Sequence, residues 1–391
     1  MNNRKNIVLV AAARPNFMKI APVYTALRKY PEIFAPRIIH TGQHYDYMMS
    51  KVFFEELSLP EPHAHLDVGS STHGKQTARA LERCENYLQE HPTDLVIVVG
   101  DVNSTAAAAL AAAKLQIPVA HVEAGLRSGD RRMPEELNRL VTDCLADILY
   151  THSVEADENL RAEGIPEEKI VFVGNVMIDT LLSFLPRAAE STLLDRLGLI
   201  PGEYAVLTMH RPENVDSSHQ IELVAEIIEQ VSAIMPLVFP IHPRSAKNLS
   251  ALLPRSGWDN LVVNTNLRLI DPLGYADFLR LEKEARVVLT DSGGVQEETT
   301  ALGTPCLTLR DNTERPVTVT CGTNTIVGLH PDRVTEAVRH LAKPSITTNR
   351  PAKWDGQAAE RIVEHLLHYF NCRVAVDRPT TGKREVMEVA G

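Results

Sequence analysis

The sequence has few cysteines, no long apolar run and no Walker A, GxGxxG or HExxH motif. Its five cysteines among 391 residues are widely spaced and form no CxxC pair. Such spacing predicts neither a disulfide framework nor a zinc knuckle, and it favours a reducing compartment. No stretch reaches the roughly 18 apolar residues that a membrane-spanning helix needs, and the first residues lack the flanks of a signal peptide. We therefore expect a cytoplasmic protein that does not enter a membrane.

Other function classes are excluded by the missing motifs and by the charge. Without Walker A or GxGxxG, a P-loop NTPase and a standard dinucleotide site lose support. Loose pairs such as His63 with His65 are not anchored by a metal-binding motif, so we expect no metal. Lys and Arg number 40 against 50 Asp and Glu, a net charge of −10, which argues against a broad nucleic-acid surface. Any anionic ligand must therefore bind in a local basic pocket.

The order of apolar segments predicts two α/β domains. Short β-branched runs such as residues 95–99 alternate with amphipathic helical segments, which is the pattern of βαβ units in a doubly wound parallel sheet. This rhythm stops near residues 174–199 and then restarts. We expect a first domain over residues 1–175, a second over residues 176–369, and a tail over residues 370–391.

Charged residues of the first half follow the predicted strands, where ligands bind in such sheets. Arg14 and Lys19 stand at a helix start and predict a phosphate site, with solvated surface cations as the alternative. Asp101 follows a buried strand and is either a helix cap or an acid/base group. Glu123 ends an apolar run, where an ion pair with Arg127 is the structural alternative to a functional carboxylate.

Further candidates stand at helix starts and strand ends. Glu135 begins a helix, whose dipole either simply favours its charge or keeps it ionised as a base. His210 follows a strand of the second half and is either a structural group or a functional one. Gly293 and Gly294 let backbone N–H groups approach an anion ahead of a helix, with an ordinary tight turn as the alternative. One turn further, Glu298 could accept both hydroxyls of a ribose, and Arg315 could add a cation.

Taken together and in order, these segments resemble the non-hydrolysing UDP-N-acetylglucosamine 2-epimerase family. The resemblance extends up to about residue 369. The matching segments are Arg14-Pro15 with Lys19, TGQH at 41–44, GDVNS at 100–104, HVEAGLRS at 121–128, MPEELNR at 133–139, HRPEN at 210–214, DSGGVQEE at 291–298 and RDNTERP at 310–316.

The resemblance implies a fold, a site and partners. The fold would be a GT-B architecture, in which two Rossmann-like domains with parallel sheets face a deep cleft, with the last long helix crossing back onto the first domain. We expect a homodimer that binds a UDP-sugar and needs no cofactor. The implied catalytic residues are Asp101, Glu123, Glu135 and His210. The implied UDP-sugar contacts are Arg14, Lys19, Asp101, Glu123, His210, Leu273, Phe278, Ser292, Gly293, Gly294, Glu298 and Arg315.

Two departures from the better-known bacterial members leave alternatives open. Those members have Gln where this chain has Leu273. Their sequences also differ from this chain directly after Gln43-His44. Near that pair, some members bind a second UDP-N-acetylglucosamine as an activator. A related substrate such as a UDP-diacetamido-glucuronic acid therefore stays open. So do a GT-B glycosyltransferase, a hydrolysing epimerase and a nucleotide-sugar sensor. For the epimerase, the residue types fit departure of UDP with loss of the C2 proton, followed by re-addition.

Overall fold

The structure is a computed structural model that describes residues 4–42, 54, 56–209, 218–241, 266–341 and 350–376. It does not describe the side chains of Arg14 and of residues 372–376. No helix in the described part of the chain is long and apolar enough to cross a membrane.

A seven-stranded parallel sheet forms the first half. Its strands are β1 (Lys5–Ala11), β2 (Phe34–His40), β3 (Ala64–His65), β4 (Leu95–Val99), β5 (Val119–Ala124), β6 (Ile148–Thr151) and β7 (Ile170–Phe172). The spatial order is β3-β2-β1-β4-β5-β6-β7. Every residue of β4 is buried, as expected for a central parallel strand covered on both faces.

The helices of the first half cover this sheet. They are α1 (Arg14–Leu27), α2 (His73–Glu90), α3 (Asn103–Lys114), α4 (Pro134–Leu145) and α5 (Val154–Ala162), with a 3-10 turn at Glu167–Lys169. Alanine favours helix and has a small side chain, and most alanines of α3 are buried. The apolar side chains of β1 and β4 belong to the same buried clusters as those of the covering helices.

The second half repeats the arrangement. Its strands are β8 (Ala205–Thr208), β9 (Leu237–Pro240), β10 (Leu267–Ile270), β11 (Val287–Thr290), β12 (Cys306–Thr308) and β13 (Asn324–Ile326), in the order β10-β9-β8-β11-β12-β13. Its helices are α6 (Val176–Ala189), α7 (Leu193–Leu197), α8 (Ser218–Ser232), α9 (Tyr275–Lys283), α10 (Gly293–Leu302), α11 (Val317–Thr320), α12 (Pro331–His340) and α13 (Ala358–Val376). In both sheets the strand order reverses beside the first strand, and such a switch point creates a binding crevice at the strand ends.

Helix α13 packs against the first half of the chain. The Tyr150 hydroxyl lies 2.9 Å from Nδ1 of His365, and the ring of Phe370 lies 6.1 Å from that of Phe34. Asp179 of α6 accepts hydrogen bonds from the main-chain N–H groups at the start of α13, at 3.1 and 2.7 Å. The helix continues to Val376, so the first residues of the expected tail, 370–376, are helical.

Candidate active site

Three buried charged side chains meet where the two halves face each other. Lys19 projects from the second turn of α1, Glu123 stands near the end of β5, and Arg315 lies in the loop after β12. The Lys19 ammonium donates to Oε2 of Glu123, and Nη2 of Arg315 lies 3.1 Å from Oε1 of the same carboxylate. All three residues are less than a tenth exposed. Both oxygens of one carboxylate are thus paired with cations, one from each half.

Two more carboxylates hold the guanidinium of Arg315. Its Nε lies 2.9 Å from Oε1 of Glu297, and its Nη1 donates to Oε1 of Glu314 at 2.7 Å. Burial lowers the pKa of Arg315, but the three neighbouring carboxylates outweigh burial and raise its pKa above the ordinary value. Gly293 makes room for this group, because a Cβ there would lie 2.8 Å from Cζ of Arg315.

The backbone at Glu123 is strained. Its φ of 73° is in the left-handed region, and the pairing of β5 with β6 shifts register between Val122 and Ala124. A non-glycine residue in this conformation costs free energy, and such outliers concentrate at functional sites. Burial raises the pKa of the Glu123 carboxyl, but Lys19 and Arg315 outweigh burial and hold its pKa below the ordinary value. The strained residue therefore carries an ionised carboxylate.

Asp101 follows the turn at the end of β4. Its carboxylate accepts from Nε of Arg139 at 3.0 Å, and its main-chain oxygen accepts from the Asn138 side chain at 2.9 Å. The Asp101 side chain is 25% exposed, so it remains accessible to a ligand. The capping alternative is wrong, because the N-cap residue of α3 is Val102.

The two acids at the start of α4 have different surroundings. Glu136 is buried and accepts from the backbone N–H groups of Ser128 and Gly129 at 2.9 and 3.0 Å. Burial raises the pKa of Glu136, but the hydrogen bonds from Ser128 and Gly129 and the charge of Arg139 outweigh burial. The pKa of Glu136 is therefore below its ordinary value. Glu135 is half-buried and pairs with none of the other described side chains. Glu136 therefore holds the preceding loop, and Glu135 is the acid that a ligand could contact.

In the second half, the strand β11 runs into the helix α10. Ser292 is the N-cap residue, and the helix begins at Gly293, so the first backbone N–H groups have no partner within the helix. Glu298 is buried and accepts from the Tyr275 hydroxyl at 2.8 Å. Leu273 and Phe278 are half-buried and pack against a cluster that includes α9 and α10 residues. This helix start supplies donors for an anion beside Arg315.

The structure does not place every predicted group. Gln43, His44 and His210 lie outside the described residues, as does the Arg14 side chain. The predicted alternative of a Glu123–Arg127 ion pair is wrong. Arg127 instead contacts Asp143 at 2.8 Å and Glu163 at 2.6 Å.

The buried groups around the site that sequence reasoning missed include Arg139, Asp143, His152 and Glu297. Each lies within a helix or directly after a strand whose pattern gives no sign of which charge it faces. Only Glu297 was next to a candidate, Glu298. Among the described residues, no group of three or more His, Cys, Asp or Glu side chains is arranged to hold a metal ion.

The geometry defines a class of protein: two parallel α/β halves with cations, a helix N-terminus and several carboxylates between them. Such a site can bind an anionic ligand and move protons on it. The model of the UDP-N-acetylglucosamine 2-epimerase family matches residues 25–367. The chain belongs to this family, which confirms the predicted family and enzyme class, an isomerase.

Individual relatives and solved structures are consistent with this family. A UDP-N-acetylglucosamine 2-epimerase of Methanocaldococcus jannaschii is 42% identical over 370 residues, covering 92% of this chain and 98% of that protein. The crystal structure of the M. jannaschii enzyme in complex with UDP-GlcNAc and UDP has a TM-score of 0.84 and covers 93% of this chain and 99% of that chain. A UDP-2,3-diacetamido-2,3-dideoxy-D-glucuronate 2-epimerase of Pseudomonas aeruginosa is 40% identical, covering 92% of this chain and 99% of that protein. With these neighbours, the predicted GT-B fold of two parallel-sheet domains is confirmed.

Proposed function

We propose that the protein interconverts UDP-N-acetylglucosamine and UDP-N-acetylmannosamine. One observation carries the proposal: Lys19 and Arg315, from opposite halves, converge on the ionised carboxylate of Glu123. A diphosphate bound by these cations would lie next to a group able to move a proton. The family of the chain and its relatives named as 2-epimerases support the same conclusion.

The proposed reaction is an elimination followed by an addition. The C1–O bond breaks and its electron pair leaves with UDP, while a carboxylate removes the proton at C2. The product is a 2-acetamidoglucal with a C1–C2 double bond. A proton is then delivered to the opposite face of C2, and UDP adds back to C1. No hydride moves, so no nicotinamide is required.

Each step has candidate groups in the chain. The departing UDP would be stabilised by Lys19, Arg315 and the first N–H groups of α10. Inversion needs acid/base groups on both faces of C2, which accounts for several acids around one site. We assign these roles to Asp101, Glu123 and Glu135, with assistance from His210. Closure of the two halves would keep water away from the glycal.

The remaining expectations belong to the same proposal. The UDP-sugar contacts are Arg14, Lys19, Asp101, Glu123, His210, Leu273, Phe278, Ser292, Gly293, Gly294, Glu298 and Arg315. We further propose domains over residues 1–175 and 176–369, a homodimer, a cytoplasmic location and a role in surface polysaccharide precursor synthesis. A second UDP-N-acetylglucosamine at Gln43 and His44 would appear as a rate that rises sigmoidally with substrate.

A second candidate substrate is a UDP-2,3-diacetamido-glucuronic acid. It is favoured by the relative of that activity at 40% identity, which is close to the 42% of the UDP-N-acetylglucosamine 2-epimerase from M. jannaschii. An experiment in which the two nucleotide sugars compete for the enzyme distinguishes these candidates. The true substrate is the one with the higher kcat/KM.

The direct experiment is incubation of the purified protein with UDP-N-acetylglucosamine and no acceptor, followed by NMR of the products. The proposal expects a mixture of the gluco and manno isomers, each still attached to UDP. Free N-acetylmannosamine with UDP would identify a hydrolysing enzyme instead. Unchanged starting material would indicate a different UDP-sugar substrate, a glycosyltransferase or a sensor.

A further inference from the structure

Asp143 holds the chain on both sides of Glu123. It lies on the inner face of α4 and is 1% exposed. Its Oδ1 lies 2.6 Å from Nδ1 of His121, and its Oδ2 accepts from the main-chain N–H of Gly125 at 3.0 Å. These partners stand two residues before and two residues after Glu123. The register shift between Val122 and Ala124 is a bulge in β5, and Glu123 lies in it. One buried carboxylate, that of Asp143, thus bridges this bulge.

The hydrogen bonds continue from His121 to the turn of Asp101. Nε2 of His121 lies 2.9 Å from the carbonyl oxygen of Gly100, which can only accept. On its other side the ring faces the Asp143 carboxylate. Burial raises the pKa of Asp143, but His121 and Arg127 outweigh burial and hold its pKa low. The two ring nitrogens of His121 therefore face an oxygen on each side, one from Asp143 and one from Gly100.

The bulge needs such support. A non-glycine residue at positive φ costs on the order of 1–3 kcal/mol and persists only where its surroundings enforce it. The groups that face Asp143 are His121 and Gly125 from β5 and its end, and Arg127 from the following loop at 2.8 Å. On the far side, Asn159 of α5 donates to the carbonyl oxygen of Gly125 at 2.9 Å. An apolar side chain at position 143 would leave the Gly125 N–H and Nδ1 of His121 without this partner.

We propose that Asp143 is a positioning residue for epimerisation, which fixes the strained bulge so that Glu123 meets the substrate at the end of β5. The inference rests on the proposed function, in which Glu123 is an acid/base group. Asp143 itself touches no substrate. Its effect is on the placement of Glu123 and, through His121, on the turn before Asp101.

The decisive comparison is between Asp143→Asn and Asp143→Ala. The amide oxygen of Asp143→Asn can accept from Gly125, and its NH₂ can donate to Nδ1 of a neutral His121 that still donates through Nε2. This variant keeps the bridge and loses only the charge. Asp143→Ala loses the bridge. Misplacing a catalytic group by about 1 Å can cost a hundredfold in rate.

We expect Asp143→Asn to retain kcat within about threefold, and Asp143→Ala to lose at least about a hundredfold. UDP affinity should stay within about threefold in both, because the groups assigned to UDP itself, which are Lys19, Arg315 and the start of α10, have no contact with Asp143. Asp195→Ala, at an exposed position of α7, is the matched control and should behave as wild type. If Asp143→Ala retains kcat, or if Asp143→Asn is as impaired as Asp143→Ala, the positioning role is overturned.

Two further measurements keep the test independent of folding. If Asp143→Ala does not fold, His121→Phe removes one side of the bridge and should give the same loss of kcat with UDP affinity retained; a normal kcat overturns the proposal. Hydrogen exchange of the Gly125 amide should be as slow in Asp143→Asn as in wild type and faster in Asp143→Ala, and the same exchange rate in all three would contradict the bridge. If wild type epimerises but Glu123→Gln does so equally well, the acid/base role of Glu123 in the proposed function is what fails.

Discussion

Arg315 and Glu123, which are separated by 192 residues in sequence, form an ion pair with Nη2 3.1 Å from Oε1. The pair joins the loop after β12 to the end of β5, and therefore joins the two halves of the protein. Both residues are buried, where an ion pair gains more from attraction than at the surface but loses hydration. A diphosphate bound at this point would compete with Glu123 for the guanidinium.

Replacing the guanidinium tests the nucleotide pocket. Arg315→Ala should weaken UDP binding by roughly 10- to 150-fold, because a hydrogen bond to a charged group contributes about 1.5–3 kcal/mol. Isothermal titration with UDP measures this effect. Arg161→Ala is the control, since Arg161 is 45% exposed and its partners among the described side chains, Asp157 and Glu167, lie outside the site. An unchanged UDP affinity in folded Arg315→Ala would count against the pocket.

The close approach of Gly293 to Arg315 gives a steric prediction. In Gly293→Ala the new Cβ would lie 2.8 Å from Cζ of Arg315 and 3.0 Å from Oε1 of Glu314, so the guanidinium must shift. We expect UDP affinity to fall by about tenfold or more, in keeping with partial loss of a charged hydrogen bond. Gly74→Ala is the control, since it has open space and no left-handed backbone. Wild-type affinity in Gly293→Ala would show that the arginine does not need its observed position.

Asp101→Asn separates catalysis from binding. The change keeps the size of the side chain and removes its ability to take a proton. We expect UDP affinity to be retained and turnover to fall at least about a hundredfold, the usual contribution of an acid/base group. Steady-state rates and UDP titration on the same preparation measure both. Near-normal turnover would remove Asp101 from the mechanism.

The pKa of Asp179, the α6 residue that accepts hydrogen bonds from the start of α13, predicts a pH dependence of stability. Burial raises the pKa of Asp179 to about 6, although the N–H groups of Ala359 and Ala358 act in the opposite direction. The unfolded value is about 3.9, so between these values the folded state binds the proton more tightly. The contribution of this group to stability is therefore full below about pH 4 and falls as the pH rises through about 6.

The comparison is with Asp179→Asn, which cannot titrate. The free energy of unfolding of wild type minus that of Asp179→Asn should increase as the pH falls from about 7 to about 4. Urea unfolding at several pH values measures this difference and cancels the contributions of other groups. A difference that is constant, or that grows as the pH rises, would contradict the raised pKa.

Much of the fold could be predicted because its central strands are continuous apolar runs. The strands that the pattern did not indicate are β3, β10 and β13, and each lies at the edge of a sheet. Edge strands are short and half-exposed, so their sequences carry polar residues such as Arg268 and lack the buried-strand signal. The prediction also ends helix α13 too early, at residue 369. The apolar periodicity of its sequence weakens before the helix itself ends.

The sequence indicates which single residues belong to the site, but not which of their side chains contact each other. Lys19, Glu123 and Arg315 each stand at a strand end or helix start, which the alternation of elements indicates. Which cation faces Glu123 depends on how the two halves meet, and no local pattern contains that information. Asp143 could not be predicted for the same reason. Its hydrogen-bond partners, His121 and Gly125, belong to β5 and the residue after it and not to its own helix.

The most direct test of the account follows hydrogen at C2. The protein is incubated with UDP-N-acetylglucosamine in deuterium oxide, and both isomers are analysed by NMR and mass spectrometry. Elimination and re-addition with proton exchange predict one deuterium at C2 of the manno product and, as equilibrium is approached, of the recovered starting sugar. Formation of the manno isomer with only the original hydrogen at C2 would contradict the account.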